Sequence, residues 1–160
     1  MLDYKGFLDD GLYDIHNGLY QDAINKISKS IELKNDWEIS YFYRAVAHQA
    51  LGNYDEALLD YAKSFSINER MTDAYYNSAK IILSRKDIIN PDINLAIKYL
   101  NIALEQDDKF IDALYAMAAA YKKLAKYEKA ITYIDKLLEI EPQAVNAKAL
   151  KKLILNKYLN

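Results

Sequence analysis

Cysteine is absent from this 160-residue chain. Disulfide staples, thiolate metal sites and a cysteine nucleophile are excluded with it. Proline and glycine number only two and four, less turn punctuation than a sheet protein of this length requires. No apolar run approaches the roughly 20 residues that cross a bilayer. The opening Met1-Leu2-Asp3-Tyr4-Lys5 sets an acid where a signal peptide would begin its apolar core, so the expected compartment is the cytoplasm. An excess of one charge is also missing. Lys plus Arg total 21 against 23 for Asp plus Glu, a net charge of −2, without the basic surplus of a protein that grips phosphate backbones. What remains is 52% hydrophobic and 28% charged, a composition that builds a packed core rather than a disordered chain.

The apolar spacing is helical throughout. In Ala57-Leu58-Leu59-Asp60-Tyr61-Ala62-Lys63-Ser64-Phe65, apolar or small residues recur three and four apart. The chain also repeats itself. Gly18, Tyr20 and Ala23 return as Gly52, Tyr54 and Ala57, each 34 residues on, and Tyr127 and Ala130 give a further copy. A less typical copy around Ala96 also stands 34 residues before Ala130. The step from Ala57 to Ala96 is five longer, and the surplus falls in Ser84–Asn94, which holds Pro91 and reads as a lengthened turn. Ser30, Ser64 and Ala103 mark a second small position, broken by Leu137.

This pattern resembles the tetratricopeptide repeat family, whose units are helix–turn–helix pairs of 34 residues. The resemblance implies an all-α, right-handed α-solenoid in one domain. Four repeats fall at about 4–37, 38–71, 72–109 and 110–143, with a C-terminal capping helix over 144–160. Small residues at Gly11, Ala45, Ala79 and Ala118, facing Ala23, Ala57, Ala96 and Ala130, let paired helices approach closely, and no unit buries its apolar stripe alone. Seven tyrosines (20, 41, 54, 61, 75, 121 and 127) fall at internal packing positions. Some residues depart from the family. Where it commonly has Leu the repeats carry Asp10, Arg44, Ser78 and Met117, and repeat 1 has Asp14 at a position that is usually large and apolar.

Catalytic chemistry finds no constellation. His16 and His48 have no spacing to a serine or carboxylate that defines a triad, and no phosphate-cradling or zinc-binding motif occurs. Asp9-Asp10 and Asp107-Asp108 read as solvated acids or helix caps rather than metal ligands. The lysines of the C-terminal third alternate with Glu128, Asp135 and Glu139, as on a solvated helix face and not a nucleic-acid site. Apolar residues on the last helix read as a lid over repeat 4 rather than a membrane anchor. The expectation is no enzyme, no cofactor, no metal, no nucleic acid and no membrane.

The resemblance further implies a concave face lined by the first helix of each unit. Its fifth positions are Leu8, Phe42, Tyr76 and Tyr115; Tyr43 and Asn77 are sixth positions; Leu12, Val46, Lys80 and Ala119 are ninth. Asp73 and Asp112 flank this aromatic–aliphatic row on one side, with Lys80 and Lys122 on the other. Rigid aromatics bury much area at little rotamer entropy, as a peptide with apolar anchors requires. Family members that clamp the acidic tails of heat-shock chaperones use Lys, Asn and Arg at set positions. Only Asn77 matches here, and Asp73 or Asp112 would repel a terminal carboxylate. The expected function is a protein-interaction module, an adaptor or scaffold that takes a peptide or helical segment in an apolar groove. A client-specific secretion or assembly chaperone and a self-assembling subunit, such as a homodimer, are the alternatives.

Overall fold

The computed structural model describes residues 3–159. Met1 and Leu2 of the N-terminal stretch, and Asn160 at the end of the capping segment, lie outside them. Among the described residues there are nine helices and no strand. These are α1 (Tyr4–His16), α2 (Tyr20–Leu33), α3 (Glu38–Ala50), α4 (Tyr54–Ile67), α5 (Thr72–Ser84), α6 (Asn90–Gln106), α7 (Ile111–Lys123), α8 (Tyr127–Ile140) and α9 (Val145–Tyr158). Successive first helices start at Tyr4, Glu38, Thr72 and Ile111, the last one residue beyond the boundary expected from sequence. The described residues form two compact units that divide between Ala74 and Tyr75.

The tight turns explain why the helices stop where they do. After α1, the Gly18 N–H donates to Ile15 O (3.0 Å) and the Leu19 N–H to Asp14 O (2.8 Å), the double bond of a Schellman C-cap. It needs a left-handed residue, and Gly18 supplies φ +75° without a Cβ penalty. Gly52 repeats this after α3 at φ +79°, with Gly52 N donating to Gln49 O and Asn53 N to His48 O. After α7 the same bonds run from Ala125 to Lys122 O and from Lys126 to Tyr121 O. Here an alanine is held at φ +56°. Left-handed backbone costs a residue with a Cβ roughly 1–2 kcal/mol, and the extra freedom of Gly in the unfolded chain returns about 0.4–1 of that. Ala125→Gly is therefore expected to stabilise the protein by about 0.5–1 kcal/mol. A lower urea midpoint for the variant would contradict this.

In the first unit, α1 pairs with α2, α3 with α4, and α2 packs on α3. The buried stripe of α2, Ala23, Ile24, Ile27 and Ser30, follows the three- and four-residue spacing of a helix face. Ser30 Oγ donates to Tyr4 O (2.7 Å) and accepts from Ser40 Oγ (2.8 Å). Trp37 closes this end with its ring edge-on to Tyr4 at 4.9 Å. Two of the departures from the repeat pattern, Asp14 and Arg44, are members of ion pairs. Asp14, buried, meets Lys26 Nζ at 2.7 Å. One repeat later Arg44 grips Asp60 through two bonds, Nε to Oδ2 (2.7 Å) and Nη2 to Oδ1 (2.8 Å), and reaches Ser28 Oγ with Nη1 (3.0 Å).

His48 stands at the position of Asp14 one repeat on. Its Nδ1 is buried with no hydrogen-bond partner among the described residues. Burial pushes the imidazole pKa below its usual value, helped by the Arg44 charge and opposed by Asp60 and Glu56. The unfolded chain thus binds the His48 proton more readily than the folded one, so stability should rise with pH through this range. The contribution is present above the unfolded pKa of about 6.5 and lost as pH falls below it. His48→Gln is expected to flatten the fall in melting temperature between about pH 7 and 5.5. Parallel profiles for the two proteins would exclude it.

In the second unit the expected lengthening of the turn is only partly a turn. Helix α6 has 17 residues where α2, α4 and α8 have 14. Three of the five surplus residues therefore extend the helix, with Pro91 in its first turn, where a missing N–H costs nothing. The other two lengthen the α5–α6 connection. One core cluster joins Leu114 and Ala118 of α7, Ala130, Ile134 and Leu137 of α8, and Ala147, Leu150 and Ile154 of α9. Burying an aliphatic side chain of this size contributes about 1.5–3 kcal/mol, so α9 is held by packing. The ion pair of Lys151 with Asp135 (2.6 Å) and the stacking of Tyr158 on Tyr127 at 4.3 Å fix its rotation. Of the last helix's apolar residues, Val145, Leu153, Leu155 and Tyr158 remain exposed.

Candidate functional site

Helix α7 is alanine-rich, so propensity favours it. Its buried face is Ala113, Leu114, Met117, Ala118 and Ala120. Asp112, Tyr115, Ala119 and Lys122, spaced three, four and three apart, are left on another face. Tyr115 is 36% exposed. It overlooks a cleft of about 400 Å³ whose walls are the start of α7, the end of α8 and the start of α9, including Asp112, Leu137, Glu141, Val145 and Ala147. Val145, 76% exposed, stands at the rim.

Tyr76 lies half-buried on α5, with its ring 4.8 Å from that of Phe110 at an interplanar angle of 52°. Burial first, then the Asp112 carboxylate, raises the Tyr76 hydroxyl pKa above its usual value. Tyr76, Phe110, Asp112 and Tyr115 thus belong to one neighbourhood. Asn77 is half-buried, Lys80 exposed, and Lys122 and Ala119 half-buried. The second unit therefore supplies a surface with accessible aromatic area, carboxylates toward the start of α7 and a lysine toward its end.

The first unit's share of the expected row behaves differently. Leu8 is only 3% exposed and packs with Ala23, Ile24, Ile27 and Ala47. Its assignment to a partner-binding face is corrected, because closing the α1–α2 hairpin consumes that side chain. Leu12 and Tyr43 are half-buried against the same cluster. Phe42 leans on Tyr43 (5.2 Å) and Tyr61 (5.7 Å), and Val46 is half-buried. Of the tyrosines expected inside, Tyr41, Tyr61 and Tyr75 are buried, but Tyr54 is 45% exposed. It opens α4 directly after the Gly52 turn, where little packs over it.

Phe110, Glu141 and Val145 were missed by sequence reasoning. One signal for Val145 was available: it follows Ile111 by one 34-residue step, so the last helix repeats the register of the first helices. Lys152 stands where they carry Gly11, Ala45, Ala79 and Ala118. That lysine is exposed.

A family model described as the Fis1 C-terminal tetratricopeptide repeat matches residues 111–158. A second, described as tetratricopeptide repeat, matches 39–70. The chain belongs to the tetratricopeptide repeat (TPR) family. Among curated proteins it is 30% identical over 132 residues to TPR repeat-containing protein MJ1428 of Methanocaldococcus jannaschii, covering 82% of this chain and 22% of that protein. The chain spans less than a third of the length of the curated relatives it matches. Two solved TPR structures are similar in fold. MamA of Desulfovibrio magneticus RS-1 superposes with a TM-score of 0.87 at 16% identity, over 96% of this chain and 84% of that one. YrrB gives 0.81 at 20% identity, over 94% and 75%. Among the described residues no helix is long and apolar enough to cross a membrane. Nor do three or more His, Asp or Glu residues gather as metal ligands among them.

Proposed function

We propose that this TPR chain is a protein-interaction module, an adaptor or scaffold, that takes a peptide or helical segment of a protein partner on the first-helix face of its second unit. The observation that carries this reading is the exposed Tyr115 over the α7–α8–α9 cleft, with Tyr76 and Phe110 beside it. An aromatic side chain left a third exposed beside a concave wall buries area on binding without ordering the receptor. The similarity to YrrB, described as a TPR protein with an unusual peptide-binding site, agrees in kind. Of the row expected from sequence, Tyr76, Asn77, Lys80, Tyr115, Ala119 and Lys122 remain in the reading. Phe42, Tyr43, Val46 and Leu12 act first as packing for their own unit.

Tyr115→Ala is the direct test, because this side chain contributes little to the core. The variant should keep the helical circular dichroism signal and melting temperature. Partners captured on immobilised protein should bind it about tenfold more weakly, the cost of losing one central aromatic anchor. Equal capture by both proteins would move the site off this face. Tyr76→Ala is less clean, since its ring also packs on Phe110.

A further inference from the structure

The charge on the lining of the cleft is one-sided, and the ammonium bonded to it, Lys148 Nζ donating to Gln143 Oε1 (3.0 Å), belongs to a side chain outside that lining. Asp112 stands on its α7 wall and Glu141 at the end of α8; both are exposed, and no lysine or arginine is among the described residues that line it. The apolar part comes from Tyr115, Leu137, Val145 and Ala147. We propose that the cleft selects a basic segment: a Lys or Arg side chain of the partner set between Asp112 and Glu141, with a neighbouring apolar residue against Tyr115 and Val145. This rests on the interaction-module reading and adds the chemistry of the partner.

Three features favour a cation over an anion. Two carboxylates on the lining of one cleft attract a guanidinium or ammonium and repel a partner carboxylate. Tyr115 offers a ring face on which a cation stacks, and Asp112 already makes its field felt at the neighbouring Tyr76 hydroxyl. The site is also half-enclosed, which screens such a pair less than open water does. The feature that points the other way is the start of α9, where Ala144 provides no side-chain cap. Its first-turn N–H groups carry the partial positive charge of a helix N-terminus. Glu141 lines the same cleft and offsets that half-charge, so an acidic group would meet a net negative wall while a basic one meets two full carboxylates. Lys80 and Lys122 lie outside this lining, toward the later turns of α5 and α7, and set the opposite sign there. The favoured segment is therefore basic where it meets the start of α7 and neutral or acidic beyond.

The test is selection from a phage-displayed random dodecapeptide library on the full chain, with the enriched sequences synthesised and titrated by fluorescence anisotropy. Enriched peptides should carry Lys or Arg beside an aromatic or aliphatic residue, and raising the salt concentration should weaken them. Binding should fall about tenfold in Asp112→Asn with Glu141→Gln, and by a similar factor in Tyr115→Ala. Acidic consensus sequences, or binding indifferent to the double amide variant, would overturn the charge assignment and leave the interaction module standing. Enrichment of no peptide would remove both. A mass by light scattering that rises with concentration in the wild type, and not in Tyr115→Ala, would give the cleft to a second copy of the chain instead. Because all three residues are exposed, the circular dichroism control separates loss of binding from loss of fold.

Discussion

Arg44→Met is expected to cost the protein about 3 kcal/mol, and Asp60→Leu a comparable amount, whereas the two together should recover most of the loss. The guanidinium and carboxylate side chains are 23% and 10% exposed, so each is largely out of water. Removing one partner leaves the other as an uncompensated charge between α3 and α4. Its desolvation is then no longer met by the two bonds of 2.7 and 2.8 Å. Ser28 loses its Nη1 donor in the arginine variant as well. Replacing both by apolar groups of similar volume removes the charges along with the need to satisfy them, which is why the double variant should approach the wild type. The measurement is a urea melt of the four proteins. A single variant that costs under about 1 kcal/mol would mean that the pair is as well solvated as a surface bridge. A double variant no better than the singles would mean that the bonds fix the helix pair in a way that apolar packing does not replace.

The same pair shows how far the sequence was legible. Helix phase, the 34-residue step and the small-residue contacts were all visible, because each recurs and each reflects one steric need. Arg44 and Asp14 were visible only as departures, because their compensation lies across the hairpin on another helix. The seventh, eleventh and twenty-third positions of a unit hold it. In the second repeat they are Arg44, His48 and Asp60; in the first, Asp10, Asp14 and Lys26, with the signs exchanged. In the fourth repeat the latter two positions become Tyr121 and Tyr133, stacked at 5.5 Å. One slot between paired helices is thus filled by an ion pair, its reverse, or two rings, and a family template marks the position without the pairing. The site divided for a similar reason. Periodicity put Leu8 and Tyr115 in equivalent places, but equivalence in phase is not equivalence in exposure. Leu8 is covered by Ala23, Ile27 and Ala47, and Tyr115 faces a cleft because the next first-type helix, α9, stands off from it.

Gly11 carries the second large effect, through Ile27. A Cβ at residue 11 would lie 2.5 Å from Ile27 Cγ1, 3.1 Å from its Cδ1 and 3.4 Å from Ala23 O. Gly11→Ala gains about 1 kcal/mol of helix propensity in α1. The displaced side chain, however, is fully buried, and overpacking a filled core costs about 1–3 kcal/mol. A net loss of about 1 kcal/mol is expected. Ile27→Ala alone should cost about 3–4 kcal/mol, since it opens a cavity at the centre of the α1–α2 contact. In that background Gly11→Ala meets no clash, keeps its propensity gain and fills part of the void, so its sign should reverse. The two changes should therefore couple by about 2 kcal/mol in a double-mutant cycle. The fourth repeat holds Ala118 and Ile134, both fully buried, at these same two positions. The slot can accept a methyl when the isoleucine is seated differently. If Ile27 re-seats in the same way at no cost, Gly11→Ala will stabilise the wild type and the coupling will vanish. If it does not, the closeness of α1 to α2 is fixed by that glycine.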